Sequence, residues 1–129
     1  MHEPSDAPAT TERPWGSELL WALTPSYAAK VLTIRAGHRT SLQHHERKEE
    51  TLLVLDGPVL LTIEAPDGAL HDRRLYTGER VHLPAGTRHR FAAPESTARL
   101  VEVSTPELAD VVRHHDDYGR APGVSPTRG

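Results

Sequence analysis

The sequence predicts a single all-β domain, a sandwich or a barrel. Three observations carry this. Eleven Pro and nine Gly in 129 residues make turns frequent, which favours short strands over long helices. Hydrophobic residues form 36% of the chain, enough for one modest core and not for two. The middle of the chain is a series of short apolar runs at even spacing with turn residues between them, the pattern of sandwiches and barrels.

The elements follow in order. Met1 to Thr11 is polar and rich in Pro, Ala and Thr and reads as a flexible tail. Ala29–Arg35 is apolar and β-branched and ends at Ala36-Gly37. Thr51–Leu55 stops at Asp56-Gly57, and Val59–Glu64 stops at Pro66-Asp67-Gly68; both are strong turn signals. Leu70–Tyr76 is a weaker strand that ends at Thr77-Gly78. Arg80–Leu83 stops at Pro84-Ala85-Gly86, and His89–Ala92 and Ala98–Val103 complete the set. One helix is predicted near the end. Ser104 or Thr105 can cap it, Pro106 suits its first turn, and Leu108, Val111 and Val112 share a helical face. The Ser104–Tyr118 segment is thus expected outside the barrel as a helix and arm. Ala121–Gly129 reads as a second tail, which leaves residues 12–120 as the domain.

Composition narrows the function. Fifteen Lys and Arg against eighteen Asp and Glu give a net charge of −3, which does not suit a nucleic-acid binder. Cysteine is absent, which excludes disulfides, thiol catalysis and cysteine metal sites. The start has no apolar stretch of a secretory signal, and no apolar run reaches the length of a membrane span. A soluble, cytoplasmic protein is expected. Histidine is abundant, with nine residues.

Two segments carry the chemistry. One runs from Gly37 through Gln43-His44-His45 and Glu49-Glu50 to Gly57; the other runs from Gly78 to Pro84-Ala85-Gly86-Thr87-Arg88-His89. Residues two apart on a strand share a face, so Gln43 and His45 point the same way. Glu50 opens the next strand after a short turn, and His89 opens another after a Pro-x-Gly turn. Two imidazoles, a carboxylate and an amide oxygen converging inside a small barrel suit a divalent metal with open positions for substrate.

This pattern resembles the two sequence motifs of the cupin superfamily. The resemblance implies a jelly-roll β-barrel with a metal inside. Cupins usually carry His-x-His in the first motif; this chain has Gln43-x-His45, and a Gln-His-Glu-His set is typical of mannose-6-phosphate isomerases. Arg13-Pro14-Trp15-Gly16-Ser17, Ser41-Leu42-Gln43, Pro84-Ala85-Gly86-x-x-His89-Arg90 and Asp116-Asp117-Tyr118-Gly119-Arg120 look like the cupin domain that ends the type II, bifunctional mannose-6-phosphate isomerase/mannose-1-phosphate guanylyltransferase enzymes. The match runs from about Glu12 to Arg120. It departs at Thr51-Leu52, where the family has His-Trp, at Glu46-Arg47-Lys48, where it is histidine-rich, and at Ala93, where it has Asn. These enzymes carry a nucleotidyltransferase domain before the cupin, and 129 residues are too few for one, so guanylyltransferase activity is not expected.

Carried over residue by residue, the resemblance makes Gln43, His45, Glu50 and His89 ligands of one divalent metal. Zinc is the first choice, with iron, manganese, nickel and cobalt also accommodated by mixed N/O ligands. It makes Lys48 a catalytic residue, stabilising an enediolate or, with a lowered pKa, moving the proton. Ser41 matches a serine near the substrate phosphate. Arg88, Arg90, Arg113 and Arg120 are phosphate candidates, with Arg90 and Arg120 favoured because both fall inside matched motifs. His82 is placed in the barrel wall, and Trp15 and Trp21 read as packing residues. The expected function is a metal-dependent aldose–ketose isomerase acting on a sugar or sugar phosphate by proton transfer at C2. The alternatives are a non-catalytic small-molecule-binding cupin and a metal-dependent cupin oxygenase or lyase. A homodimer is expected, since an exposed barrel edge invites a second copy.

Overall fold

The computed structural model describes residues 8–120 and the backbone of residues 123–124. Among these residues the chain forms twelve strands and no helix. In order they are β1 (Ala9–Arg13), β2 (Gly16–Leu23), β3 (Ala28–Ile34), β4 (Leu42–His44), β5 (Glu50–Asp56), β6 (Val59–Glu64), β7 (Leu70–Leu75), β8 (Arg80–Leu83), β9 (His89–Ala92), β10 (Ala98–Ser104), β11 (Val112–His115) and β12 (Gly123–Val124). Two six-stranded sheets result, ordered β1-β2-β3-β10-β5-β8 and β12-β11-β4-β9-β6-β7.

The pairing is nested. β6 pairs with β7, β5 with β8, β4 with β9 and β3 with β10, all antiparallel. This is one long hairpin whose successive pairs alternate between two sheets, a jelly roll. The expected strands from Ala29 to Val103 form in this order. Alternation sets what faces inward. On β5 Leu52 and Val54 are buried while Leu53 is exposed, and on β10 Ala98 and Leu100 are buried while Arg99 is exposed. With Ile34, Val59, Leu61, Leu83 and Phe91 they form one core between the sheets, each large side chain contributing about 1.5–3 kcal/mol by leaving water.

Three expectations are corrected. The N-terminal tail, expected to end at Thr11, is ordered from Ala9, because residues 9–13 pair with residues 16–20 across a tight turn. At that turn Trp15 is 4% exposed in the core. Gly16 lies against β3 so closely that a Cβ would sit 1.8 Å from the Thr33 carbonyl oxygen, which explains the Trp-Gly pair. The helix after Ser104 is absent. Val112 and Arg113 pair instead with His44 and Gln43, so the backbone bonds a helix would make within itself go to the sheet. The 3,4 spacing of Leu108, Val111 and Val112 misled because Leu108 reaches the cavity from a turn and Val111 from the residue before β11, and adjacent β-branched valines suit a strand. Third, Gly123 and Val124, inside the expected C-terminal tail, pair with β11; the rest of both tails lies outside the described residues. No described helix is long and apolar enough to cross a membrane.

Candidate metal centre

One end of the barrel is polar inside. β4 leads into His45, a turn at residues 46–49 leads to Glu50 at the start of β5, and His89 opens β9. Gln43 and His89 are register partners on neighbouring strands. The Pro84–Gly86 turn is pinned to the same place, since the Gly86 N–H donates to the His45 carbonyl at 2.7 Å. Gly86 has φ +87°, a conformation that glycine adopts without steric cost. The two motifs, far apart in sequence, therefore meet.

His45, Glu50 and His89 are each 4% exposed or less. Their ligand atoms lie within 4.8 Å of one another. His45 Nε2 is 2.9 Å and His89 Nε2 is 3.3 Å from the same Glu50 oxygen, Oε2. The opposite nitrogen of each ring faces a backbone carbonyl: His45 Nδ1 is 2.6 Å from Asp110 O, and His89 Nδ1 is 2.9 Å from Thr87 O. A carbonyl only accepts, so both Nδ1 atoms carry the proton and both Nε2 atoms present lone pairs to the carboxylate. Lone pairs facing a carboxylate repel unless a cation sits among them. In keeping with this, His45 Nε2 and Glu50 Oε2 are buried without a well-formed hydrogen bond. A proton on one Nε2 relieves one ring; a divalent metal relieves both. Burial works against the Glu50 charge, but the Lys48 ammonium, together with a proton or cation held between the carboxylate and the two imidazoles, keeps its carboxyl well below the usual range. The donor set thus fits a divalent metal with two nitrogens and a carboxylate oxygen. Gln43 lines the same cavity, and its Oε1 accepts from the Ser41 hydroxyl at 2.7 Å.

The cavity holds about 50 Å³ and is walled by charge as well as by the three ligands. Lys48 is buried and its Nζ donates to Glu102 Oε2 at 3.1 Å. Burial alone would lower the lysine pKa, but Glu102 and Glu50 together raise it. Of the two roles expected of Lys48, this favours the ammonium that stabilises negative charge over the proton shuttle. Glu102 moves the other way for a carboxylate: burial and the Glu50 charge push it up, against the pull of Lys48 and Lys30. Further along, Glu18 accepts from Lys30 at 2.9 Å and from Arg13 at 3.1 Å. Burial opposes its charge, yet these two cations bring it below its ordinary value. From the arm, Leu108, Val111, Arg113 and Arg120 close the cavity. Arg120 makes a two-pronged contact with Asp116, at 3.0 and 2.8 Å. Arg113 is lowered by burial and by Arg120, and its buried Nε lacks a hydrogen-bond partner.

Asp110 holds the turn that carries Lys48. Its carboxylate accepts from the backbone N–H groups of Glu46, Arg47 and Lys48 at 2.9, 2.7 and 2.9 Å. Burial raises its pKa, but these bonds outweigh burial and lower it.

The structure thus brings together Gln43, His45, Lys48, Glu50, His89 and Arg120. It does not bring in two others. Ser41 is 1% exposed and lies behind Gln43, off the cavity wall. Arg90 alternates with His89 and Phe91 and takes the opposite face of β9, where its Nε donates to Thr40 O at 3.1 Å and Asp117 lies 3.8 Å away. His82 is not in the wall: its side chain is 52% exposed, beside Glu49 on the outside. Trp21 is likewise 47% exposed. Glu18, Lys30 and Glu102 were not anticipated. The signal was present, for Lys30 alternates in phase with Leu32 and Ile34, and Glu102 with Ala98 and Leu100. Asp110 has no sequence signal.

Residues 3–116 match the family described as mannose-6-phosphate isomerase, C-terminal. The chain belongs to this family. A mannose-1-phosphate guanylyltransferase of Escherichia coli K12 is 33% identical to this isomerase-family domain over 112 residues, 84% of this chain and 22% of that protein. The xanthan biosynthesis protein XanB of Xanthomonas campestris is 30% identical over 84% of this chain and 23% of its own. The domain therefore spans about a fifth of the length of these relatives. In fold it resembles the capsular polysaccharide assembling protein CapF of Staphylococcus aureus, with a TM-score of 0.75 at 15% identity over 84% of this chain and 34% of that one. It also resembles KdgF of a Halomonas species, with a TM-score of 0.67 at 22% identity over 76% and 87%. Oxalate decarboxylase of Bacillus subtilis gives 0.70 at 17% identity over 78% and 27%. The fold is that of the cupins.

Proposed function

We propose that this domain is a metal-dependent aldose–ketose isomerase that acts on a sugar or sugar phosphate by proton transfer at C2. The carrying observation is the pair of histidines whose Nδ1 atoms are tied to carbonyls, so that both Nε2 atoms face Glu50 beside the Lys48–Glu102 pair. His45, Glu50, His89 and Gln43 hold the metal, zinc by first choice, with Ser41 acting through the Gln43 amide. The ion, when bound, supplies Lewis acidity toward two adjacent sugar oxygens.

The chain's own residues do the rest. The Lys48 ammonium lies where negative charge develops on those oxygens and stabilises it. A charged lysine is no base, so the proton from C2 goes to a carboxylate. Glu102, touching Lys48 and raised in pKa, suits taking that proton and returning it to C1. Arg113 and Arg120 bring positive charge to the wall from the arm, which favours an anionic sugar derivative; the relatives' name, mannose-1-phosphate guanylyltransferase, agrees with this class. A cavity of about 50 Å³ takes the reacting end of a sugar, since each water-sized group needs about 10–15 Å³; the remainder lies outside. The same size favours a second reading, a cupin that binds a small ligand without turnover. We further propose a cytoplasmic homodimer. The support for a second copy is the outer face of the sheet that holds β10 and β5, which exposes Leu53 and Val103 as an apolar surface.

The test is exchange of the C2 hydrogen of mannose 6-phosphate, related aldose phosphates and free sugars with solvent deuterium. The isomerase reading expects exchange that chelator removes and added metal restores. Binding of a sugar phosphate with no exchange by metal-replete protein supports the binding cupin instead.

A further inference from the structure

Asp110 makes four hydrogen bonds to a segment more than sixty residues away in sequence. Its backbone carbonyl accepts from the His45 ring. Its carboxylate accepts from three successive N–H groups, at residues 46, 47 and 48. These N–H groups fall in the turn between β4 and β5, where no strand partner takes them. Successive N–H groups aimed at one carboxylate form an anion cradle, here filled by the chain itself.

We propose that Asp110 is the positioning residue of this site, fixing the ring of His45 through its carbonyl and the backbone of Lys48 through its carboxylate. The proposal rests on the reading of His45 and Lys48 as working residues. One residue sets two things at once. Its carbonyl leaves His45 Nε2 as a lone pair facing Glu50, and partners of this kind govern a ligand's orientation and basicity. Its carboxylate fixes where the Lys48 side chain starts, so that Nζ reaches Glu102. It also sits on the arm that contributes Leu108, Val111, Arg113 and Arg120 to the cavity, so the arm and the metal turn are joined at this residue.

Asp110→Ala and Asp110→Asn test this against Asp67→Ala. Asp67 makes a similar turn bond, its Oδ1 accepting from the Ala69 N–H at 2.9 Å, but far from the site. Two readouts apply: cobalt(II) affinity with the visible spectrum of the cobalt protein, and, without metal, amide exchange at residues 46–48 with the nitrogen NMR shifts of His45. Asp110→Ala keeps the carbonyl but removes the carboxylate that seats it beside the turn, so it is expected to bind cobalt about 10–100-fold more weakly, with an altered spectrum, lost protection at residues 46–48 and a mixed His45 tautomer. Asp110→Asn, which keeps one acceptor oxygen, falls between, and it carries the test if the alanine variant does not fold. Asp67→Ala matches wild type in every readout. Wild-type cobalt affinity, spectrum and amide protection in the Asp110 variants, or the same losses in Asp67→Ala, would overturn the proposal. If wild-type protein takes up no cobalt, the metal reading fails alone, and the metal-free readouts still decide the role of Asp110.

Discussion

The same three strands build two opposite interiors. At one end of the barrel the inward positions of β3, β10 and β5 are Ile34, Ala98, Leu100 and Val54; at the other they are Lys30, Glu102, Ser104 and Glu50. Leu32 stands across from Leu100, and one step of two residues along each strand Lys30 stands across from Glu102. Backbone geometry is shared, so the difference lies in side chains alone. The apolar end gains free energy by burial. The charged end costs free energy unless every charge finds a partner, and it is arranged as alternating sign: Arg13, Glu18, Lys30, Glu102, Lys48, Glu50. The fold is stabilised at one end, and the candidate metal site is assembled at the other.

This division can be broken from either side. The largest loss of stability is expected from Leu100→Ala at the apolar end, about 2–5 kcal/mol, with zinc affinity of the folded protein unchanged; urea unfolding and a chelator competition measure the two. Lys48→Met at the charged end is expected to reverse this ranking. It removes a charge that acts on developing negative charge, so kcat for exchange falls about 10²–10³-fold. Metal content stays at the wild-type level, and stability changes less than in Leu100→Ala, because Glu102, already raised in pKa, can take a proton when its partner is lost. Replacing both members, Lys48→Met with Glu102→Leu, is expected to leave stability within about 1 kcal/mol of wild type or raise it by up to about 4 kcal/mol, while abolishing exchange. A loss of several kcal/mol in the double variant would show that the charged end also holds the fold together. The smallest effect is expected outside the barrel: Arg99→Ala breaks an exposed pair with Asp56 and costs about 0–1 kcal/mol by thermal unfolding.

The two ends were not equally legible in the sequence. The apolar strands were, because alternation and turn residues report a core directly. The meeting of the candidate ligands was too, because Gln43-x-His45 shares a face at the end of β4 while Glu50 and His89 open strands after turns. Glu102 and Lys30 were hidden among apolar neighbours, where a lone charge does not reveal which partner lies across the barrel. The arm was misread because its valines fit a helix equally well; the deciding fact, that its N–H and C=O groups meet β4, is a tertiary contact. Ser41 shares a face with Gln43 as expected, its hydroxyl bonded to the Gln43 amide, whereas Arg90 was assigned from a motif, which does not say which face of a strand a side chain takes, and it turns away from the cavity to Thr40.

The metal centre is tested most directly by the zinc content of dialysed wild-type protein beside that of His45→Ala, with folding of both checked by circular dichroism. One zinc per chain in the wild type and a much reduced amount in the variant are expected, since His45, Glu50 and His89 share one buried point. Equal zinc in both proteins, or none in a folded, zinc-dialysed wild type, would contradict the assignment of these residues as a metal site.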